Sequence, residues 1–222
     1  MRVRAFMAGL ATITMLTGCG GLEAQSAGPK SSKPDTASVS DARKKLAKLA
    51  VKGRAPKTGF DRDEFGPAWS DVDHNGCDTR NDILKRDLEN EKFKSGTHDC
   101  IVLSGTLKDP YSGKTIEFKR GQSTSTDVQI DHLIPLSDAW QKGAQQWSAT
   151  KRKEFANDPL NLLAVDGPLN GQKSDSDAAT WLPPRKAYRC TYIARQIDVK
   201  AKYDVWLTSA EKDAMKTILD DC

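Results

Sequence analysis

Apolar residues in this chain fall in short runs whose spacing changes several times, and each change predicts a change of element. Ser40 reads as a helix cap, followed by a thin stripe of Leu46, Leu49 and Ala50 that ends at Gly53. Residues 59–67 read as loop, and Asp78 reads as the cap of a second helix carrying Ile83, Leu84 and Leu88. Beyond residue 100 the pattern alternates and turns: Ile101-Val102-Leu103, then Asp109-Pro110-Tyr111-Ser112-Gly113, then Thr115 to Phe118. That predicts two short strands around a turn, with Val128 to Asp131 as a further strand. From Leu136 the period becomes helical, through Trp140, Ala144 and Trp147, and a second short helix follows Ser148. Asn161 to Val165 is a compact apolar run that reads as a strand, and Trp181-Leu182-Pro183-Pro184 marks a break before another helix. Thr208-Ser209-Ala210-Glu211 fits a capping box ahead of the face Ala210, Ala214, Ile218 and Leu219. The expected fold class is α+β, with two strands and a helix bracketing residues 131–175 and no internal repeat.

The first forty residues stand apart. Arg2 and Arg4 are followed by the uncharged apolar stretch Ala5 to Leu16 and by Leu16-Thr17-Gly18-Cys19, the order of a secretory signal. A cysteine at the cut resembles a bacterial lipoprotein signal, in which Cys19 becomes the lipidated first residue and holds the chain on the outer face of the cell membrane. Ordinary cleavage and secretion is the alternative. Residues 20–39 are rich in Gly, Ser, Pro, Ala and Lys and bury little apolar surface. The expected division is therefore 1–18 signal, 19–39 flexible tether and 40–222 a single domain. Losing residues 1–18 removes two arginines and no acids, taking the net charge from +4 to +2. That lacks the strong excess of a dedicated polyanion binder, so any such grip must be local.

Five cysteines remain to be placed. If Cys19 carries lipid, then Cys77, Cys100, Cys190 and Cys222 form an even set in an exported chain, which predicts two disulfides. Cys77–Cys100 and Cys190–Cys222 are preferred among the three pairings because each closes a local loop. A structural zinc site is the weaker option, since no close C-x-x-C pair exists.

The candidate chemistry begins at Asp131-His132-Leu133-Ile134-Pro135. Neighbours on a strand face opposite ways, so this Asp and His share a site only if the backbone turns there. A neutral histidine suits proton removal from water near neutral pH, and a carboxylate suits a hard cation such as magnesium. Alone, the pair also fits a satisfied histidine beside an incidental acid. Asn161 and, nine residues on, Asn170-Gly171-Gln172-Lys173-Ser174-Asp175 change that balance.

With D-H-x-x-P, a middle Asn and N-x-x-K-S-D, the sequence resembles the HNH, or ββα-metal, nuclease superfamily, including the HNH domain of RNA-guided CRISPR nucleases. It resembles more closely the secreted HNH-family proteins of actinobacteria, through Cys77-Asp78-Thr79-Arg80, Leu84 to Leu88, Trp140, Trp181 to Pro184 and the four mature cysteines. The closer resemblance covers roughly residues 60–222, and the expected ββα-metal core lies at about 126–178. The resemblance implies that His132 is the general base and that Asp131 and Asn170 hold a divalent metal. Asn161 then orients the loop carrying His132. Lys173 either meets phosphate or the leaving oxygen or is a solvated helix lysine, and Arg80 touches substrate. Magnesium, with manganese as an alternative, is the expected ion, because an amide in place of a final histidine favours a hard cation. The implied partner is nucleic acid, DNA rather than RNA, with little sequence preference. Oligomeric state is not legible.

Asp71-Val72-Asp73-His74-Asn75-Gly76 opens like a calcium loop, but its twelfth position is Asp82 instead of Glu, and a plain polar turn is the preferred reading. Arg80, Lys85 and Arg86, and Lys151, Arg152 and Lys153, form two basic clusters, each more often a solvated face than a phosphate site. Two other readings stand beside a nuclease: a non-catalytic surface lipoprotein on an HNH-like scaffold, and a calcium-stabilised envelope protein.

Overall fold

The computed structural model describes residues 36–222. The expected signal, Cys19 and most of the tether lie outside these residues. The first helix, α1 (Thr36–Lys48), starts ahead of the expected Ser40 cap, so the last positions assigned to the tether are helical. Val39, buried with Ala42 and Leu46, extends the apolar stripe back by one turn and gives that turn something to pack on. A loop runs from residue 49 to 78, with a parallel bridge from Val51 to Leu207 and one 3-10 turn, Arg62–Phe65, that buries Phe65.

Helix α2 (Thr79–Asp87) is capped by the Asp78 side chain, which accepts from the Asn81 N–H. Strands β1 (Leu88–Phe93), β2 (Val102–Lys108) and β3 (Thr115–Lys119) form an antiparallel sheet in the order β1-β2-β3. Strand β4 (Val128–His132) pairs antiparallel with β5 (Leu162–Asp166), His132 opposite Leu162 and Val128 opposite Asp166. Between them lie α3 (Leu136–Gln141) and α4 (Ala149–Asn157), the latter capped by Ser148. Helix α5 (Gly167–Lys173) follows β5 directly, and α6 (Arg189–Tyr203) and α7 (Ser209–Asp220) complete the chain. The class is α+β.

Three apolar clusters hold these elements. Val39, Leu133, Val165, Tyr192 and Met215 pack α1, α6 and α7 behind β4 and β5. Phe65, Trp140, Phe155 and Tyr203 pack α3, α4 and α6 under the 3-10 turn. Ile83, Leu84, Phe118 and Val128 join α2 to both sheets. Gly167 is needed where β5 passes into α5, because a Cβ there would lie 2.0 Å from the Thr126 carbonyl oxygen.

Cys77 is bonded to Cys100 and Cys190 to Cys222. The second bond ties the start of α6 to the C-terminus after α7. Replacing Cys190 and Cys222 by serine is expected to lower stability by about 2–5 kcal/mol, read from guanidinium unfolding. An unchanged midpoint would show that α7 is held by packing alone.

Candidate active site

Strand β4 delivers two side chains in opposite directions. Asp131, like Gln129, meets α5, while His132 meets the end of α4. Both nevertheless line one cleft of about 300 Å³, together with Asn170, Ser174, Asp175, Lys57 and Arg62. The turn expected right at the pair is not needed. Pairing continues through Leu133, whose N–H donates to the Asn161 carbonyl at 2.8 Å, and the chain leaves the sheet at Pro135.

His132 is held by one hydrogen bond, from Nε2 to the Ala156 carbonyl oxygen at 2.8 Å. A carbonyl only accepts, so Nε2 carries the proton and Nδ1 keeps its lone pair. Burial, aided by Arg62 and Lys173 and opposed by the Ala156 bond, pushes the imidazole pKa down to about 4, so the ring is neutral at neutral pH.

Asp131 is buried, with both oxygens engaged. Oδ1 accepts from the Lys173 ammonium at 2.8 Å, and Oδ2 accepts from the Tyr111 hydroxyl. Burial raises its pKa, and Lys173 and Tyr111 act against that. Lys173 is neither solvated nor at the cleft wall. It is fully buried and also donates to the His132 carbonyl at 2.8 Å, so it ties the two motif residues to α5. Asn161 is equally buried. Its Oδ1 accepts from the Ile134 N–H at 2.9 Å and its amide donates to the Ile134 and Phe155 carbonyls, gripping the backbone just past His132. Gln196 of α6 donates to the Leu133 carbonyl from the other side.

Asn170 lies across the cleft on α5, its amide nitrogen donating to Gln129 Oε1 at 2.9 Å. With the nitrogen so used, Oδ1 is the group left for a ligand. Asp131 and Asn170 thus offer oxygen donors only, the set a hard cation takes. Among the described residues no group of three or more His, Cys, Asp or Glu is placed to hold a metal ion. A magnesium-type ion, which keeps several waters and takes few protein ligands, fits this pair; a closed zinc site does not.

Arg80 departs from its expected place. Its guanidinium donates to the Ser125 and Val128 carbonyls, shaping the entry to β4, and it does not line the cleft. Arg86 likewise binds Asp87 and the Pro159 and Leu162 carbonyls, and Arg152 binds Glu64 and the Trp147 carbonyl. The cleft's own cations, Lys57 and Arg62, come from the loop after α1, which carried no signal beyond turn residues. Tyr111 was legible only as part of a turn. The loop from Asp71 to Asp82 closes on itself, with Asn75 donating to Asp73 and Asp82 and Asp71 accepting from the Gly76 N–H.

Residues 78–218 match the family model for the C-terminal domain of GmrSD restriction endonucleases. The chain belongs to this family. Membership places it among nuclease-type domains, and the site residues on β4, β5 and α5 all fall inside the matched range. A relative from Arthroderma benhamiae, described as an uncharacterized secreted protein, is 36% identical over 219 residues, covering 98% of each chain. No solved structure matches the chain. Among the described residues no helix is long and apolar enough to cross a membrane.

Proposed function

We propose that the chain is an exported, metal-dependent endonuclease that hydrolyses phosphodiester bonds, in DNA rather than RNA and with little sequence preference. The observation that carries this reading is the meeting of Asp131, His132 and Asn170 on one cleft, with His132 held by Nε2 so that Nδ1 is the free base. His132 takes a proton from the attacking water at Nδ1. Asn161 and Gln196 fix the backbone from which it projects. Lys173 holds Asp131 and the His132 carbonyl in register. Lys57 and Arg62 attract the phosphate backbone into the cleft. Asp131 and Asn170 would hold a magnesium-type ion, whose chemistry when bound is to neutralise charge on the phosphate and on the departing 3′ oxygen. Arg80 acts on the fold of β4 and not on substrate. The relative's description as secreted supports export, and the Leu16-Thr17-Gly18-Cys19 string supports a lipid anchor at Cys19.

The test is plasmid nicking by the mature domain with its disulfides intact. Cleavage is expected with magnesium or manganese and is expected to stop in chelator. Asn170→Ala should require a higher magnesium concentration for half-maximal rate, because it removes one of two protein ligands. Equal cleavage with and without chelator would overturn the metal assignment.

A further inference from the structure

A second pocket, of about 210 Å³, opens beside the cleft, and His132 and Arg62 line both. Its character is different. Phe65, Pro67, Trp69 and Ala156 give it apolar walls. The Trp69 ring lies nearly parallel to the His132 imidazole, with 14° between planes and centroids 6.1 Å apart. Asn157 also lines it and is only 1% exposed. The Asn157 amide nitrogen donates to the Lys153 carbonyl, and its Oδ1 has no hydrogen-bond partner among the described residues. A buried amide oxygen without a donor is costly, so this wall of the pocket is held by packing and the Lys153 contact. Arg62, at the junction of the two pockets, is in no ion pair among the described residues, so its guanidinium is available to a phosphate.

A flat aromatic wall at Trp69, opening beside a cleft that Arg62 and Lys57 line, matches the base and the phosphate of one nucleotide. We infer that the second pocket receives an unpaired nucleobase of the nucleotide next to the scissile phosphate, and that the substrate class is single-stranded or locally melted nucleic acid. The inference rests on the nuclease reading of the cleft. In a duplex the base is stacked and its hydrogen-bonding edge is paired, so entry requires unstacking. Stacking on tryptophan accepts any base, because every base offers a π-face, and this agrees with weak sequence preference.

The experiment uses the mature chain in chelator and a short fluorescein-labelled oligodeoxynucleotide, single-stranded or annealed to its complement. The single strand should bind more tightly than the duplex. Trp69→Leu keeps apolar volume in the loop but loses the ring, and should weaken single-strand binding by about tenfold while leaving duplex binding unchanged. Trp69→Phe should restore most of the affinity. With magnesium, Trp69→Leu should raise KM on the single strand, and Trp69→Phe should restore most of it. Single-strand binding unchanged in Trp69→Leu, or parent affinity equal for both forms, would overturn the base pocket whatever the cleft does. Failure of the nuclease reading is a separate result: the parent cleaves neither form in magnesium or manganese, even if the strand preference and its dependence on Trp69 are present.

Discussion

His132→Ala should lower the rate of plasmid nicking by about two to four orders of magnitude, the range that a positioned general base contributes. The size follows from how much of the site is built around that ring. Nε2 is committed to the Ala156 carbonyl, Asn161 and Gln196 pin the backbone on its C-terminal side, and Lys173 holds its own carbonyl. These contacts are to backbone apart from the first, so they survive the substitution. The variant should therefore keep its circular dichroism spectrum and its unfolding free energy to within about 1–2 kcal/mol, the cost of one buried hydrogen bond. Nicking that persists in His132→Ala would mean that the base lies elsewhere. A parent that cleaves neither DNA nor RNA with any divalent ion would favour a non-catalytic surface protein on the same scaffold.

The second large effect concerns stability. Lys142, fully buried, pairs with Asp138 at 2.7 Å, Asp177 at 2.9 Å and Glu211 at 2.6 Å. Lys200, also fully buried, pairs with Glu211 at 2.9 Å, and Arg54 reaches Asp138 and Asp177. Three acids and three bases balance in charge and join α3, the segment after α5, α6 and α7. Lys142→Ala leaves three buried carboxylates short of a cation and should cost about 3–5 kcal/mol, measured by guanidinium unfolding. The pH dependence has a definite sign. Burial opposes the Lys142 charge, but Asp138 and Glu211 outweigh it and the ammonium ends above its usual value. Burial also opposes the Asp177 charge, but Lys142 and Arg54 outweigh it and the carboxyl ends below its usual value. The Asp177 contribution is present above an unfolded value of about 3.9 and is lost as pH falls through the folded one; the Lys142 contribution is present below about 10.4 and is lost as pH rises. The margin of the parent over Lys142→Ala should be widest between those limits and narrow towards both. A margin below about 1 kcal/mol at neutral pH would show that water or relaxation replaces the lost ammonium.

The same cluster shows where local sequence reasoning stops. Thr208 to Glu211 reads as a capping box, and the Thr208 hydroxyl does accept from the Glu211 N–H. The Glu211 carboxylate, however, is buried on Lys142 and Lys200. Leu88, expected on the helix capped by Asp78, instead opens β1, a strand that is polar between its ends and exists by pairing with β2.

What the sequence by itself determined was whatever local rules govern. Caps at Asp78, Ser148 and Thr208 set the starts of α2, α4 and α7, the alternating and turning segment beyond residue 100 set β2 and β3, and short apolar runs set β4 and β5. Local loop closure indicated both disulfides. The resemblance carried by Asp131, His132, Asn161 and Asn170 marked the candidate site, and the paired strands β4 and β5 with the helix that follows bring these four positions together. Only the tertiary structure decided what surrounds them. Tyr111 on Asp131, Arg62 and Lys57 at the cleft, Trp69 beside His132 and Arg80 turned onto backbone carbonyls are contacts between segments tens of residues apart in sequence. No local period encodes such contacts, since they arise from packing α2, the loop after α1 and both sheets around three shared apolar clusters.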